Sequence, residues 1–331
     1  MTKMNTKTFC GECKTTIGAA KNGHLECLVY AHTNGCDWDK WTCAFAAEKG
    51  QLECLVYAHT NGCPWDRLTC AYAAEKGHLE CLVYAHENRC PWDEKTCADA
   101  AWNGQLKCLQ YAHEKGCPWD EKTCTSAAAN GHIECLQYAH ENGCPWNEDT
   151  CAYAARNGHL DCLEYTHTNG CRWDERTCTY AAEKGHLDCL VYAHKKGCPW
   201  DKNTCKKAAK NGHLECLVYA HENGCPWDGD VCAKAAEKGH LDCIKYAHEN
   251  GCLCIHNTGK LKIYSTKLDT KSDNEDIQCG ICYEKRNKVQ FIPCKHKLCI
   301  GCSNKIITQQ YPQIKCPFCR GKVEENLLLK S

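Results

Sequence analysis

A 27-residue unit recurs without insertion from Thr15 to Asn257, and this period constrains the fold more than any other property of the 331-residue chain. One copy opens Thr69-Cys70-Ala71-Tyr72-Ala73-Ala74, continues Gly77-His78-Leu79-Glu80-Cys81-Leu82 and closes Cys90-Pro91-Trp92-Asp93. Its second cysteine falls at Cys27, Cys54, Cys81, Cys108, Cys135, Cys162, Cys189, Cys216 and Cys243, which sets nine copies. A unit this short cannot bury a hydrophobic face by itself, so the copies must stack on one another.

Each copy reads as two short helices. Asp66, Asp93 and Asp120 follow the Trp of their turn and suit an N-cap, where a carboxylate oxygen accepts from the free N–H groups of the first turn. The first helix carries an alanine pair such as Ala73 and Ala74, small enough for close helix approach, and Gly77 ends it. The second starts at Leu79, keeps Leu, Cys, Leu and Tyr on helical spacing, and stops at an Asn-Gly step such as Asn142-Gly143. Neither reaches the ~12–15 residues that an isolated helix needs, so stacking supplies the stability.

The pattern resembles the ankyrin repeat. Thr-Cys-Ala-Tyr-Ala-Ala stands where ankyrins carry Thr-Pro-Leu-His-x-Ala, and Gly-His-Leu-Glu and Glu-Asn-Gly match. The deficit against the ankyrin length of about 33 residues falls after Asn-Gly, so the resemblance implies helix pairs joined by a Cys-Pro-Trp-Asp turn in place of a projecting hairpin. Units of this type look like those of ankyrin-repeat proteins from giant DNA viruses. The same resemblance places the exposed face of each first helix along a concave groove. The third position after Thr there reads Phe45, Tyr72, Asp99, Ser126, Tyr153, Tyr180, Lys207 and Lys234. Phe45, Tyr72, Asp99, Tyr153 and Tyr180 suit a protein substrate, and a solvated variable surface is the alternative.

Thirty-six cysteines need a role. A secreted chain would use them as a disulfide scaffold, but Met1 to Cys10 lacks the apolar run of a secretory signal. No stretch approaches the ~18 apolar residues of a membrane span, and a net charge of −1 gives no general pull towards nucleic acid or anionic membranes. The chain is expected to be soluble and cytoplasmic, with the nucleus left open, and the repeat cysteines to be small buried apolar residues. A metal ladder is the alternative. Equivalent positions on packed helices lie about 8–10 Å apart, too far for two sulfurs that must each come within about 2.3 Å of one zinc, though pairing between different positions stays open. Histidines such as His59, His86 and His113 close the second helix and read as structural. The turn tryptophans, Trp65, Trp92, Trp119, Trp146, Trp173, Trp200 and Trp227, either staple one repeat to the next or form an exposed stripe. Cys10 and Cys13 form a lone CxxC in a capping segment, residues 1–14.

The last repeat loses its Pro-Trp, and residues 258–276 read as a polar linker with one β-like run from Leu261 to Tyr264. Beyond it, Cys279, Cys282, Cys294, His296, Cys299, Cys302, Cys316 and Cys319 are separated by two, eleven, one, two, two, thirteen and two residues. Each CxxC or HxxC step is short enough for both side chains to reach one tetrahedral zinc. Lys285, Arg286, Lys288, Lys295 and Lys297 add basic charge, but not the aromatic interleaving of a strand-binding platform, so no nucleic-acid partner is expected.

Residues 277–322 resemble a RING finger, which gives a mostly α chain: an ankyrin-like solenoid of nine repeats (15–257) followed by a small zinc module. The resemblance implies crossed ligands around two structural zinc ions. Cys279, Cys282, Cys299 and Cys302 would hold one, and Cys294, His296, Cys316 and Cys319 the other. It further implies a RING-type ubiquitin ligase with a ubiquitin-conjugating enzyme, ubiquitin and a protein substrate as partners. Ile281, Ile306 and Pro317 take the positions of the enzyme-docking groove, with Ile306 standing where many relatives have an aromatic. Arg320 takes the position of the basic residue that restrains the enzyme–ubiquitin thioester. A non-catalytic scaffold or decoy is the reading from another class. The tail, residues 323–331, carries Leu327, Leu328 and Leu329, which either pack back or pair two RING modules as a homodimer.

Overall fold

The structure, a computed structural model, describes residues 15–252, 288–291 and 296–299. The capping segment with Cys10 and Cys13, the linker and the tail lie outside the described residues. Eighteen helices form nine successive pairs, from Thr16–Lys21 with Leu25–Thr33 to Gly229–Lys238 with Leu241–Glu249, and an antiparallel pair of strands follows. The described residues divide into two compact units: one through Ala181 together with Asp188–Pro199, the other Ala182–Leu187 and the residues from Trp200 onward. None of the helices among them is long and apolar enough to cross a membrane.

The pair Arg67–Lys76 and Leu79–Glu87 illustrates why these residues fold this way. Asp66 Oδ1 accepts from the Leu68 amide at 3.0 Å, and Gly77 closes the helix in the left-handed region at φ 78°. A side chain at Gly50, the preceding equivalent, would also meet the His78 ring of the next repeat, 2.6 Å from Nδ1. Cys70, Ala73, Ala74, Cys81, Leu82 and Ala85 are all buried to 1% exposure or less, so the core is a narrow column of small residues and one leucine per repeat. Small side chains let helices approach closely, and dispersion then acts over the whole contact. Within the first unit, Lys40–Glu48, Arg67–Lys76, Glu94–Trp102, Glu121–Ala129 and Glu148–Asn157 pack in sequence.

Two contacts tie each turn to its neighbours. His59 stacks on Trp65 with ring centroids 3.7 Å apart, and Tyr84 of the next pair meets both, its Oη 2.9 Å from His59 Nδ1. The same triad recurs at His32/Trp38/Tyr57, His113/Trp119/Tyr138, His140/Trp146/Tyr165 and His221/Trp227/Tyr246. The tryptophans are therefore staples. The second contact comes from the turn cysteine. Cys90 Sγ donates to the Asp66 carbonyl of the preceding turn at 3.2 Å, and Cys63, Cys117, Cys144, Cys171, Cys198, Cys225 and Cys252 repeat it at 3.2–3.3 Å. Burial of the cysteines agrees with the sequence reading, but the turn thiol is also a hydrogen-bond donor to a carbonyl that would otherwise hold one partner fewer.

Among the described residues no cluster of three or more His, Cys, Asp or Glu is arranged to hold a metal. Burial pushes the Cys54 thiol up to about 11 and Cys81 up to about 12, so these thiols stay protonated at neutral pH and are poor metal ligands. Cys36, exposed in the first repeat, stands apart from the buried series.

Arg89 occupies the turn position that is glycine in the other repeats, and it is the one non-glycine described residue with positive φ, at 64°. A Cβ at the equivalent Gly62 would meet no atom within 4 Å, so the cost at Arg89 is conformational and not a clash. Arg89→Gly is expected to stabilise the protein by about 1 kcal/mol in urea unfolding followed by circular dichroism. In the same assay Trp119→Ala should cost about 2 kcal/mol, because it removes stacking on His113 and contact with Tyr138. Burial lowers the pKa of His59, His86, His167 and His194. The unfolded chain then takes up protons first, so stability held above about pH 6.5 should fall as the pH drops towards 5.

Candidate functional site

The zinc-ligand array is represented among the described residues by a short antiparallel ribbon. Lys288–Phe291 pairs with His296–Cys299 in the register Lys288↔Cys299, Val289↔Leu298, Gln290↔Lys297 and Phe291↔His296. Two ligand positions, His296 and Cys299, are the two ends of the second strand. They stand three positions apart, and an odd offset along a strand assigns two positions to opposite faces. Cys279, Cys282, Cys294, Cys302, Cys316 and Cys319 lie outside the described residues, as do Ile281, Ile306, Pro317 and Arg320. The sequence reading missed the ribbon itself. Its signal is Val289-Gln290-Phe291, an apolar–polar–apolar alternation that the ligand spacing overshadowed.

The predicted groove positions lie on the first helices of the repeats, each half-buried. Phe45 and Tyr72 stack with centroids 6.4 Å apart, Trp41 stacks on Phe45 at 5.7 Å, and Lys21 sits over the Phe45 ring. Tyr153 and Tyr180 lie 6.2 Å apart beneath the Arg156 guanidinium, which is 5.3 Å from the Tyr180 centroid. The structure therefore brings the aromatic positions together in two groups. Asp99 belongs to neither and faces Lys95 at 3.9 Å. Lys207 pairs with Glu183 at 2.9 Å and Lys234 with Glu237 at 2.8 Å.

Reading one column of each helix missed Lys21, Trp41, Trp102 and Arg156. Lys21, Trp102 and Arg156 stand three residues beyond the third position after Thr, and adding this i+3 neighbour on the same helical face would have found them. Burial pushes the Asp99 carboxyl above the usual carboxylate range, and Lys95 offsets this only in part. A raised pKa in the fold means that the folded state holds this proton longer than the unfolded chain. The charged form then costs stability, and that cost sets in as pH rises through the ordinary carboxylate range. Asp99→Asn should therefore be more stable than the parent at pH 7 and indistinguishable from it at pH 3, as read by thermal unfolding at the two pH values.

Comparison with known proteins bears on both parts of the chain. Residues 275–326 match the family model "Zinc finger, C3HC4 type (RING finger)", and residues 178–221 match "Ankyrin repeats (many copies)". Among curated proteins, E3 ubiquitin-protein ligase AIRP2 of Arabidopsis thaliana is 37% identical over 59 residues, 18% of this chain and 22% of that one. The human helicase-like transcription factor is 32% identical over 59 residues, covering 6% of its length, and the Arabidopsis thaliana MND1-interacting protein 1 is 34% identical over 77 residues, covering 11%. The chain thus spans less than a quarter of the length of these relatives. The human ASB11 ankyrin repeat domain is 17% identical, with a TM-score of 0.42 over 47% of this chain and 84% of that one. The chain carries an ankyrin repeat region and a C3HC4 RING finger.

Proposed function

We propose that this chain is a RING-type E3 ubiquitin-protein ligase, with the repeat face recruiting a protein substrate and the RING binding and activating a ubiquitin-conjugating enzyme. The observation that carries the reading is the donor set within the RING match: seven cysteines and one histidine at ligand spacing, followed at once by Arg320. Thiols and imidazole are the donors that zinc prefers, so the residues fit the metal. Cys279, Cys282, Cys299 and Cys302 would hold one ion, and Cys294, His296, Cys316 and Cys319 the other. The opposite parity of His296 and Cys299 on their strand supports assigning them to different ions. Zinc bound here cross-links distant segments and so stabilises a small module, on the order of 10–16 kcal/mol per site in zinc-finger peptides.

Four protein donors per ion leave no position for water, so the chemistry lies in positioning. Ile281, Ile306 and Pro317 form the apolar seat for the conjugating enzyme. The Arg320 guanidinium donates hydrogen bonds to carbonyls on that enzyme and on its ubiquitin together, which restricts the thioester to conformers that a lysine amine can attack. The nucleophile is the substrate's amine, and this chain supplies none. The first-helix face presents the substrate, in the cytoplasm.

A purified autoubiquitination assay against a panel of conjugating enzymes tests the reading. Chain formation should vanish in Cys316→Ser and fall at least tenfold in Arg320→Ala, the latter with its zinc content unchanged. Silence across the panel from a folded, zinc-loaded protein would instead indicate a scaffold that binds without transfer. Metal analysis is expected to return about two zinc ions per chain, and about nine more would contradict the packing role of the repeat thiols.

A further inference from the structure

Three large hydrophobic residues are exposed among the described ones. Tyr30 and Leu241 lie in the first and last repeats, where stacking ends, but Trp102, 52% exposed, lies in the fourth. Every turn tryptophan from Trp38 to Trp227 has a ring partner, whereas Trp102 meets no ring and no cation among the described residues. It stands on a first-helix face, three residues beyond Asp99, and the corresponding residues of the next repeat are the small Ser126 and Ala129. An indole beside small neighbours in the middle of an array is the kind of anchor that interfaces use.

Charge on the same face specifies the occupant. In three repeats the first residue of the first helix reaches the N-cap carboxylate of the following repeat: Lys40 pairs with Asp66, Arg67 with Asp93 and Lys202 with Asp228. From the repeat of Trp102 onward that position changes sign to Glu94, Glu121, Glu148 and Glu175, all exposed and none in an ion pair among the described residues, and the first three lie in the repeat of Trp102 and the two that follow it. Before the Asp120 cap the cation is thus replaced by a second acid, Glu94, whereas the cap that follows Glu121 is the neutral Asn147. The helices Glu94–Trp102, Glu121–Ala129 and Glu148–Asn157 with their N-caps carry seven carboxylates, counting Asp93, Asp99, Asp120 and Asp149, against Lys95, Lys122 and Arg156; Asp93 and Asp149 are further held by Arg67 and Arg176 of the adjoining repeats, which leaves Glu94, Glu121 and Glu148 as the acids without an ion pair among the described residues. Two of those cations hold acids only loosely, Lys95 at 3.9 Å from Asp99 and Lys122 at 3.5 Å from Asp120.

We infer that this face of repeats four to six docks an extended basic segment of a partner protein, with one Lys or Arg lying on the Trp102 indole and further cations meeting Glu94, Glu121 and Glu148. Packed helices are about 8–10 Å apart and an extended chain advances about 3.3 Å per residue, so cations spaced three residues apart match one carboxylate per repeat. The indole face attracts a cation, and the flanking carboxylates reward the same charge. The inference deepens the recruitment reading above and rests on it.

The test uses the full chain and three fluorescein-labelled 13-residue peptides: arginine at every third position, the same composition with its arginines contiguous, and glutamate in place of every arginine. Fluorescence anisotropy should show the spaced peptide binding at least fivefold tighter than the contiguous one and at least tenfold tighter than the glutamate one. Trp102→Ala, and separately the combined Glu94→Lys, Glu121→Lys and Glu148→Lys variant, should each weaken the spaced peptide at least tenfold. Glu80→Lys, on an exposed second-helix position, should leave it unchanged, with circular dichroism confirming that every variant is folded. Equal binding of the glutamate peptide, insensitivity to Trp102→Ala, or no binding by any peptide would overturn the inference. Glutamate-peptide binding that is lost in Trp102→Ala would overturn the basic partner while leaving recruitment by this face standing. Autoubiquitination does not use the face, so its outcome separates failure of the ligase reading from failure here.

Discussion

The contact on which the rest depends is the join between repeats, made at the Cys-Pro-Trp-Asp turn. A helix of nine or ten residues has too few internal hydrogen bonds to persist alone. The turn compensates by engaging both neighbours. Its Trp stacks on the His that precedes it and touches the Tyr of the next pair, and its Cys donates to the carbonyl of the turn before. The two contacts point in opposite directions along the chain, so each turn is held from either side. With the join secured on one side of the helices, the exposed face of the first helix is free to vary, and variation is what that face shows.

That division explains what was legible in the sequence. The period, the N-cap aspartates, the Gly77-type helix ends and the buried alanine and leucine positions follow from local chemistry, which repeats identically and so can be read from one copy. The thiol hydrogen bond was not legible, because Cys90 reaches a carbonyl 24 positions back in the chain and nothing local distinguishes a donor thiol from a packed one. The aromatic pairs on the first-helix face were half legible. The third position after Thr carries Phe45, Tyr72, Tyr153 and Tyr180, but their partners Trp41, Lys21 and Arg156 sit on other columns of the same face. For the RING, ligand spacing gives metal chemistry directly, since donors must reach a common centre, whereas the ribbon at Lys288–Phe291 and His296–Cys299 depends on a pairing that spacing does not encode.

The two kinds of cysteine in this chain follow opposite physical rules. At second-helix positions such as Cys54 and Cys81, burial raises the thiol pKa and keeps sulfur protonated, which suits packing. In the RING, the spacing invites metal, which requires the thiolate. A chain with this many cysteines therefore uses them in two ways: in a periodic scaffold that displays a variable face, and in a C-terminal RING finger whose spacing suits zinc. On the scaffold, the change from Lys40 and Arg67 to Glu94, Glu121 and Glu148 shows how a single repeat position can tune the face without disturbing the join.

The central claim, that the RING accelerates ubiquitin transfer by restraining a conjugating enzyme's thioester, is tested most directly by single-turnover discharge. A conjugating enzyme preloaded with ubiquitin is mixed with free lysine and the full chain, and the loss of thioester is followed with time. The account predicts discharge at least tenfold faster than without the chain, with that acceleration abolished in Arg320→Ala although the variant still binds the loaded enzyme. A rate unchanged by the chain, for every conjugating enzyme that it binds, would contradict the account.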